Sequence, residues 1–307
     1  MINEFFRTIN TALEYYRVAG LDFSVTLPAD TDTDSLLPSF TPFRWTGDAN
    51  PVFSFTTAPE TWRLSGMRKI DESDTDLGNM VLFSAAELDE ERYLIELRGR
   101  KDGPVHKMLT DSLFRNVRAD LDWTSPDFPL ILGSMLRIAF SQAVLLHGGI
   151  SVHASSVALD GKAYLFLGSS GTGKSTHSAL WLKTFAGCEL VNDDNPALRL
   201  QSGQIYVHGT PWSGKTPCYR NVTYPLGGIV RLEQAEGNAF TALEDVKAFV
   251  ALLPSCSAVK GNRRLQECLY DTISEICGKV PVGLLRCLPD AGAAVLCRNG
   301  ISKNLIQ

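Results

Sequence analysis

Between Gly168 and Thr176 the chain carries glycines and small polar residues at a spacing suited to binding phosphate. The stretch fits the pattern G-x-x-x-x-G-K-[ST], with Gly168 and Gly173 followed by Lys174 and Ser175. Glycines let a backbone wrap closely around an anion because they have no Cβ and tolerate positive φ. We therefore expect the loop amides to cradle phosphate, Lys174 to reach the terminal phosphates and Ser175 to offer its hydroxyl to Mg²⁺. The predicted nucleotide-binding residues are Gly168, Ser169, Ser170, Gly171, Thr172, Gly173, Lys174, Ser175 and Thr176.

The residues on either side of this loop predict the elements that would hold it. The apolar run 163–167 indicates a buried strand, and Leu180, Leu182 and Phe185 recur at helical spacing after the loop. A helix that begins at the loop adds unpaired amide donors and the positive end of its dipole. A strand, a glycine-rich loop and a helix in this order favour a phosphate site. The alternative is a glycine-rich connection that binds nothing.

Two adjacent acids follow the next apolar segment. Residues 189–194 (ELVNDD) predict a second strand, which ends at Asp193 and Asp194. In phosphate-loop proteins an acid at such a strand end holds Mg²⁺ or its water. Adjacent acids can equally form a capping turn. Their place after the phosphate loop favours the functional interpretation.

Two further residues are candidates by position. His153 falls in a predicted strand over 148–159, which an Asp160-Gly161 turn joins to the strand before the loop as a hairpin. A lone histidine is more often structural than catalytic, and its place beside the phosphate loop shifts that balance. Lys215 lies in the loop 208–217 (HGTPWSGKTP), where it is either a second cation for a phosphate or a surface lysine. Trp212 in the same loop either stacks on a base or covers the core.

Composition narrows the classes of function. The 307 residues carry a net charge of -5 with 21% charged residues, which argues against a nucleic-acid partner because such a protein needs a basic face. The sequence contains no run of 18 apolar residues, so no membrane span is expected. The first residues do not resemble a secretion signal. The seven cysteines include no C-x-x-C pair, which disfavours a zinc site or a disulfide framework. We expect a cytoplasmic protein.

The elements around the site predict two domains. Residues 1–127 are expected to form a smaller β-rich N-terminal domain of unknown role, with strands near 22–27, 52–56, 80–84 and 93–97. Phe5, Ile9, Leu13 and Tyr16 in this region could line one face of a helix.

After a proline-containing break, residues 128–307 are expected to form the nucleotide-binding domain. A buried helix over 128–146 would open it. Further predicted elements are a hairpin around Ser202-Gly203, a strand over 226–232, a mainly helical stretch over 241–270, a strand over 280–287 and a short terminal helix over 288–297. The alternation of strands and helices predicts an α/β fold.

Taken together, these motifs resemble a known superfamily. The order is H-A-S, then G-x-S-G-x-G-K-S-T, then D-D, then a Gly-rich loop ending in Lys. It resembles the HPr kinase and ATP-type phosphoenolpyruvate carboxykinase superfamily, in its smaller serine-kinase-like branch, over residues 148–232. The resemblance implies a P-loop kinase core of that type, a mixed sheet with flanking helices, preceded by the smaller β-rich domain.

The resemblance also implies roles for single residues. His153 matches a histidine that is a metal ligand in the carboxykinases, and Lys215 sits where these enzymes place a phosphate-contacting lysine. Asp193 matches the general base of the kinases, and Asp194 matches a metal-binding acid of the carboxykinases. The implied metal ligands are thus Ser175, Asp194 and His153. Related kinases assemble as oligomers, so a homo-oligomer is implied as well.

These observations predict an ATP- and Mg²⁺-dependent phosphotransferase that acts on a hydroxyl, such as a serine in a protein, a peptide or a small molecule. A nucleotide-binding regulatory module without an acceptor is the alternative, followed by a carboxykinase-like lyase. The chain lacks recognisable oxaloacetate-binding residues, and it has VTYPLGGIV where HPr kinases carry a Glu-Arg-Gly signature. The first departure argues against decarboxylation, and the second argues against HPr as the acceptor.

Overall fold

The computed structural model describes residues 11–57, 59, 61–75, 78–214 and 216–303. It divides into two units, with the boundary between Ala143 and Val144. Each unit is built on its own mixed sheet with flanking helices, so the chain is a mixed α/β protein.

The first unit is dominated by strands. Its strands are β1 (Thr11–Val18), β2 (Leu21–Pro28), β3 (Pro51–Thr57), β4 (Ser65–Thr75), β5 (Gly78–Glu87), β6 (Glu90–Arg98), β7 (His106–Asp111) and β8 (Asn116–Asp120). Its helices are α1 (Thr33–Leu36), a 3₁₀ helix (Pro38–Phe43) and α2 (Phe128–Ala143).

The sheet of the first unit has the order β1-β2-β3-β8-β7-β6-β5-β4. The β2–β3 and β3–β8 pairs are parallel, and the other neighbours are antiparallel. Its aromatic core centres on Phe23, whose ring stacks on Phe53 at a centroid distance of 4.7 Å. Phe140 of α2 lies 6.3 Å from the Phe23 ring, which explains why the apolar face of α2 is buried here.

The first unit corrects two predictions. Leu13 and Tyr16 lie in β1, which pairs with β2 along its whole length, so the predicted helix is wrong where it is described. Phe5 and Ile9 lie outside the described residues. The helix that was expected to open the second domain is α2, and it belongs to the first unit because its partners are Phe23 and β3. The units therefore divide after Ala143, not after residue 127.

The second unit alternates strands and helices. Its strands are β9 (Gly149–Ser151), β10 (Ala154–Leu159), β11 (Lys162–Leu167), β12 (Glu189–Asn192), β13 (Ala197–Gln201), β14 (Gln204–His208), β15 (Thr223–Gln234), β16 (Ala239–Leu243) and β17 (Val282–Cys287). Its helices are α3 (Lys174–Thr184), α4 (Asp245–Leu252), α5 (Arg263–Lys279) and α6 (Ala291–Lys303), with 3₁₀ turns at Val144–His147 and Leu253–Ser255.

The sheet of the second unit has the order β12-β10-β11-β15-β14-β13-β9, and β17 joins it by pairing with β15 and β16. β15 is parallel to both β11 and β17, so the carboxyl ends of these three strands meet at one edge. The predicted hairpin between β10 and β11 is confirmed, with positive φ of 53° at Asp160 and 75° at Gly161, the geometry of a tight two-residue turn.

The core of the second unit lies between the sheet and two helices. Trp181 of α3 is fully buried among Tyr164 and Phe166 of β11, with ring centroids 5.1 and 5.3 Å away. Ala293 and Ile301 of α6 belong to the same cluster. This packing fixes the angle at which α3 leaves the loop that precedes it.

The later elements match the predictions in part. The hairpin of β13 and β14 around Ser202-Gly203 is confirmed. The helical prediction over 241–270 is wrong at its start, because residues 239–243 form β16 and pair with β17. The terminal helix is α6, which extends beyond the predicted end to Lys303.

Among the described residues, one helical stretch, Phe128–His147, is long and apolar enough to cross a membrane, and 61% of its most apolar window is buried. The core helix of a globular protein passes the same test, so the stretch is weak evidence for a membrane span.

Candidate functional site

The predicted phosphate loop connects β11 to α3, as the sequence indicated. Gly173 is the residue before α3, and its φ of 106° lies in a region that favours glycine. The turn before it is closed by a hydrogen bond from the Thr172 amide to the Ser169 carbonyl, at 3.2 Å. The Ser169 and Thr172 hydroxyls lie 3.0 Å apart. The loop thus carries its own internal contacts ahead of the helix start.

Lys174 points back into this loop. Its ammonium donates to the carbonyls of Gly168 at 3.0 Å and Ser169 at 3.3 Å, and it lies 2.9 Å from Nε2 of His153. Burial lowers the pKa of Lys174, and the charges of Asp194 and Asp193 act in the opposite direction. The ammonium carries the positive charge that attracts an anion, whereas the two acids nearby would repel an anion that arrived without a cation.

His153 links the lysine to the acidic pair. Its Nδ1 lies 3.1 Å from Oδ1 of Asp194, so the ring bridges Asp194 and Lys174. A proton on Nδ1 satisfies both contacts, since Nε2 then accepts from the lysine. His153 falls in the break between β9 and β10, where its amide donates to the Ser255 carbonyl at 2.7 Å, so the continuous strand predicted over 148–159 is wrong at this point.

Asp193 differs from Asp194 in its surroundings. It is 5% exposed, and its Oδ1 accepts a hydrogen bond of 2.8 Å from the Ser155 hydroxyl. That hydroxyl lies 2.5 Å from the hydroxyl of Ser178 on α3. The other oxygen, Oδ2, is buried and has no hydrogen-bond partner within the described part of the chain. A carboxylate held by one oxygen can accept a proton on the other.

Asn192 shapes the turn that carries both acids, and sequence reasoning missed it. Its Oδ1 accepts from the backbone amides of Asp194 at 2.9 Å and Asn195 at 2.8 Å. Its Nδ2 donates to the carbonyl of Trp212 at 2.9 Å. Asn195 in turn donates to Oδ2 of Asp194 at 3.1 Å. An asparagine directly before two acids is the signal that could have indicated this turn.

Residues 212–214, in the first part of the predicted loop, lie against the acidic turn. Trp212 is 7% exposed, so it covers the core. A Cβ on Gly214 would lie 2.9 Å from the backbone oxygen of Asp193, which shows how closely the loop approaches the acids. Lys215, the predicted second cation, lies outside the described residues.

The predicted metal ligands are only partly gathered. His153 and Asp194 contact each other, whereas Ser175 is exposed at the start of α3. Within residues 11–57, 59, 61–75, 78–214 and 216–303, no group of three or more His, Cys, Asp or Glu side chains could hold a metal ion. Mg²⁺ is often bound by only one or two carboxylates together with substrate phosphates.

Residues 124–288 match the protein family described as SynChlorMet cassette protein ScmC. The matched range covers more than half of the chain and contains every sequence-predicted site residue. The chain belongs to the ScmC family. In this ScmC-family chain the match runs from the residues before α2 to the residue after β17.

Among solved structures, the chain is similar to the Hpr(Ser) kinase/phosphatase from Coxiella burnetii, with a TM-score of 0.30 and 12% sequence identity over 51% of this chain and 96% of that chain. This is a distant structural similarity. No curated protein matches the ScmC-family chain.

Proposed function

We propose that the chain is an ATP- and Mg²⁺-dependent phosphotransferase that acts on a hydroxyl, a serine in a protein or peptide or the hydroxyl of a small molecule. The observation that carries this proposal is the contact chain from the loop to the acids. Lys174 contacts His153 at 2.9 Å, and His153 contacts Asp194 at 3.1 Å. Asp193, which precedes Asp194, has one buried carboxylate oxygen, Oδ2, that has no hydrogen-bond partner among the described residues. The proposed fold of this unit is a P-loop core of the HPr kinase and carboxykinase type.

The proposed roles follow the chemistry of each group. The loop amides and Lys174 would hold the β- and γ-phosphates, and Lys215 would neutralise charge on the transferred group. Asp194 and Ser175 would hold Mg²⁺, with His153 beside them. When bound, Mg²⁺ would neutralise charge on the phosphate oxygens.

In the proposed transfer, the acceptor oxygen forms a bond to the γ-phosphorus while the bond from that phosphorus to the bridging oxygen of ADP breaks. The acceptor proton goes to Oδ2 of Asp193, the oxygen that has no partner within the described residues. Ser155 holds the other oxygen of this carboxylate at 2.8 Å. Catalysis would come mostly from positioning and electrostatics.

The substitution Asp193→Asn tests the proposal. We expect it to abolish phosphoryl transfer and to leave the affinity for ATP with Mg²⁺ within about threefold, because the carboxylate acts on the acceptor and not on the nucleotide. Transfer is measured with γ-labelled ATP and a cell extract as the source of acceptors, and binding by titration calorimetry. Retained transfer in the variant would remove Asp193 from the role of base.

The wild-type measurements separate the proposal from its alternative. Binding of ATP without turnover or transfer would indicate a nucleotide-binding regulatory module. A lack of any binding at millimolar ATP and Mg²⁺ would overturn both. The cytoplasmic location, the lack of a nucleic-acid partner and a homo-oligomeric state stay predictions.

A further inference from the structure

A cavity of about 590 Å³ lies beside the second half of the phosphate loop. Its lining includes residues 171–173 of the loop, residues of the first turns of α3 and residues at the ends of β15 and β17. His153, Lys174 and Asp193 are not part of its lining. The cavity and the acidic group therefore share the loop but no side chains.

The position of the cavity suits a ligand that extends from the loop. β11, β15 and β17 are parallel neighbours, and the cavity is lined by residues at the carboxyl ends of β15 and β17 and in the loop after β11. Ligands of open α/β sheets bind in the crevice outside the carboxyl ends of parallel strands. The volume lies within the range of about 300–1,000 Å³ that is typical of small-molecule sites.

The lining is apolar with a few polar groups at its rim. Leu180, Leu232, Leu288 and Pro289 supply the apolar surface, and no Asp, Glu, Lys or Arg is among the described residues that line it. Gln234 supplies an amide, whose nitrogen donates to the Gly171 carbonyl at 3.3 Å. This chemistry suits a flat, uncharged group with hydrogen-bonding edges and does not suit a further phosphate.

We infer that this cavity binds the purine base and ribose of the nucleotide whose phosphates lie on the loop. The inference rests on the proposed function, because the loop must hold the phosphates for the base to reach the cavity. It assigns the two sides of the loop to different parts of the reaction. The acids face the transferred phosphoryl group, and the nucleoside lies between α3 and the ends of β15 and β17.

The test compares ATP with tripolyphosphate, which carries the same phosphates without the nucleoside. In titration calorimetry with Mg²⁺, the wild-type chain should bind ATP at least about tenfold more tightly than tripolyphosphate, since only ATP buries apolar surface in the cavity. Ala235→Trp would place an indole in part of the cavity and should weaken ATP binding by about tenfold or more, while the affinity for tripolyphosphate stays within about twofold.

A second variant has a matched control. Leu288 lines the cavity and is 39% exposed, and Leu182 on α3 lies outside the cavity and is 38% exposed. Leu288→Ser should weaken ATP binding by about three- to tenfold, and Leu182→Ser should not. Retained tripolyphosphate binding shows that each variant keeps a folded loop.

The outcomes separate this inference from the function on which it rests. Equal affinity of the wild-type chain for ATP and tripolyphosphate would overturn the base site and leave the phosphate site intact. If Ala235→Trp and Leu288→Ser each weakened the binding of ATP and of tripolyphosphate equally, the base site would also be overturned. If the wild-type chain bound neither ligand, the proposed function would fail first.

Discussion

At the scale of single residues, the site combines a solvent-accessible pair with a buried acid. His153 and Asp194 keep part of their side chains exposed, whereas Asp193 is almost fully buried and is held by Ser155. A buried carboxylate is costly unless hydrogen bonds stabilise it, so the Ser155 hydroxyl has a clear physical role. We regard Ser155 as a positioning residue, since it would act through Asp193.

Replacing Ser155 should therefore reduce transfer without reducing nucleotide binding. For Ser155→Ala we expect kcat to fall by about ten- to a hundredfold and the Kd for ATP to stay within about twofold, because the carboxylate loses its orienting donor. The pH profile of kcat should also shift, which a purely structural defect would not cause. Steady-state kinetics across pH and titration calorimetry measure these effects.

Ser156 provides the matched control for this substitution. It is also fully buried, and its hydroxyl donates to the Asn192 carbonyl at 3.1 Å instead of to an acid. Ser156→Ala should leave the pH profile unchanged. A similar shift in both variants would mean that the hydroxyl of Ser155 only supports the strand.

The sequence could predict the residues with an obvious chemical signature and not those that support them. Gly173, Lys174 and the two acids were recognisable from residue type and spacing. Ser155 belongs to the H-A-S motif, but neither its contact with Asp193 nor the part of Ser178 could be read from the sequence, because the three residues lie far apart along the chain. Ser155 meets Asp193 because β12 pairs with β10, and it meets Ser178 because α3 packs on these strands.

At the scale of elements, the loop between β11 and α3 depends on backbone conformation. Gly173 and Gly187 lie just before and just after α3, with φ of 106° and 78°, and a Cβ on either would meet nothing within 4 Å. Any other residue at either position would therefore strain the backbone because of the positive φ, and its Cβ would not clash with a neighbour. The two positions differ in that only Gly173 belongs to the phosphate loop.

This pair yields a prediction with a built-in control. Gly173→Ala and Gly187→Ala should each lower the free energy of unfolding by about 1–2 kcal/mol. Only Gly173→Ala should weaken the binding of ATP, by about tenfold or more, because the loop amides lose their orientation. Denaturant unfolding and titration calorimetry measure the two effects. Equal binding by the two variants would contradict a phosphate-binding role for the loop.

The hairpin of β13 and β14 carries a histidine, His208, whose protonation should change the free energy of unfolding as the pH falls. Burial, aided by the charge of Arg199, lowers the pKa of His208 from 6.5 to about 4. Between these pH values the unfolded chain binds a proton that the folded chain does not bind. The stability contributed by the neutral ring is therefore complete above pH 6.5 and is lost as the pH falls towards 4.

The substitution His208→Asn should remove this dependence. The asparagine oxygen can take the place of Nδ1, which contacts the Thr223 hydroxyl at 2.9 Å. The plot of unfolding free energy against pH between 6.5 and 4 should become less steep by about 1.4 kcal/mol per pH unit, which corresponds to one proton. Denaturant melts at several pH values measure the slope. An unchanged slope would show that His208 is protonated in the folded protein.

At the scale of the whole molecule, the sequence predicted a β-rich domain followed by a nucleotide-binding domain with a break after residue 127, whereas the two units of the structure divide after Ala143. The prolines over 122–129 suggested a break before α2. In the structure α2 packs on β3 and on Phe23, so contacts with residues distant in sequence decide that α2 belongs to the first unit. The prediction of a helix around Leu13 is wrong for a related reason. A short apolar pattern does not show that the segment will pair with another strand, here β2.

Because each unit has its own aromatic core, a cavity made in one core should affect that unit most. Trp181 is fully buried in the second unit, and Phe53 is 1% exposed in the first. Trp181→Ala and Phe53→Ala should each cost about 3–5 kcal/mol. Hydrogen exchange should show the largest loss of protection in β10, β11 and β15 for Trp181→Ala, and in β2 and β3 for Phe53→Ala. The same distribution of losses in both variants would contradict two separate cores and indicate one cooperative unit.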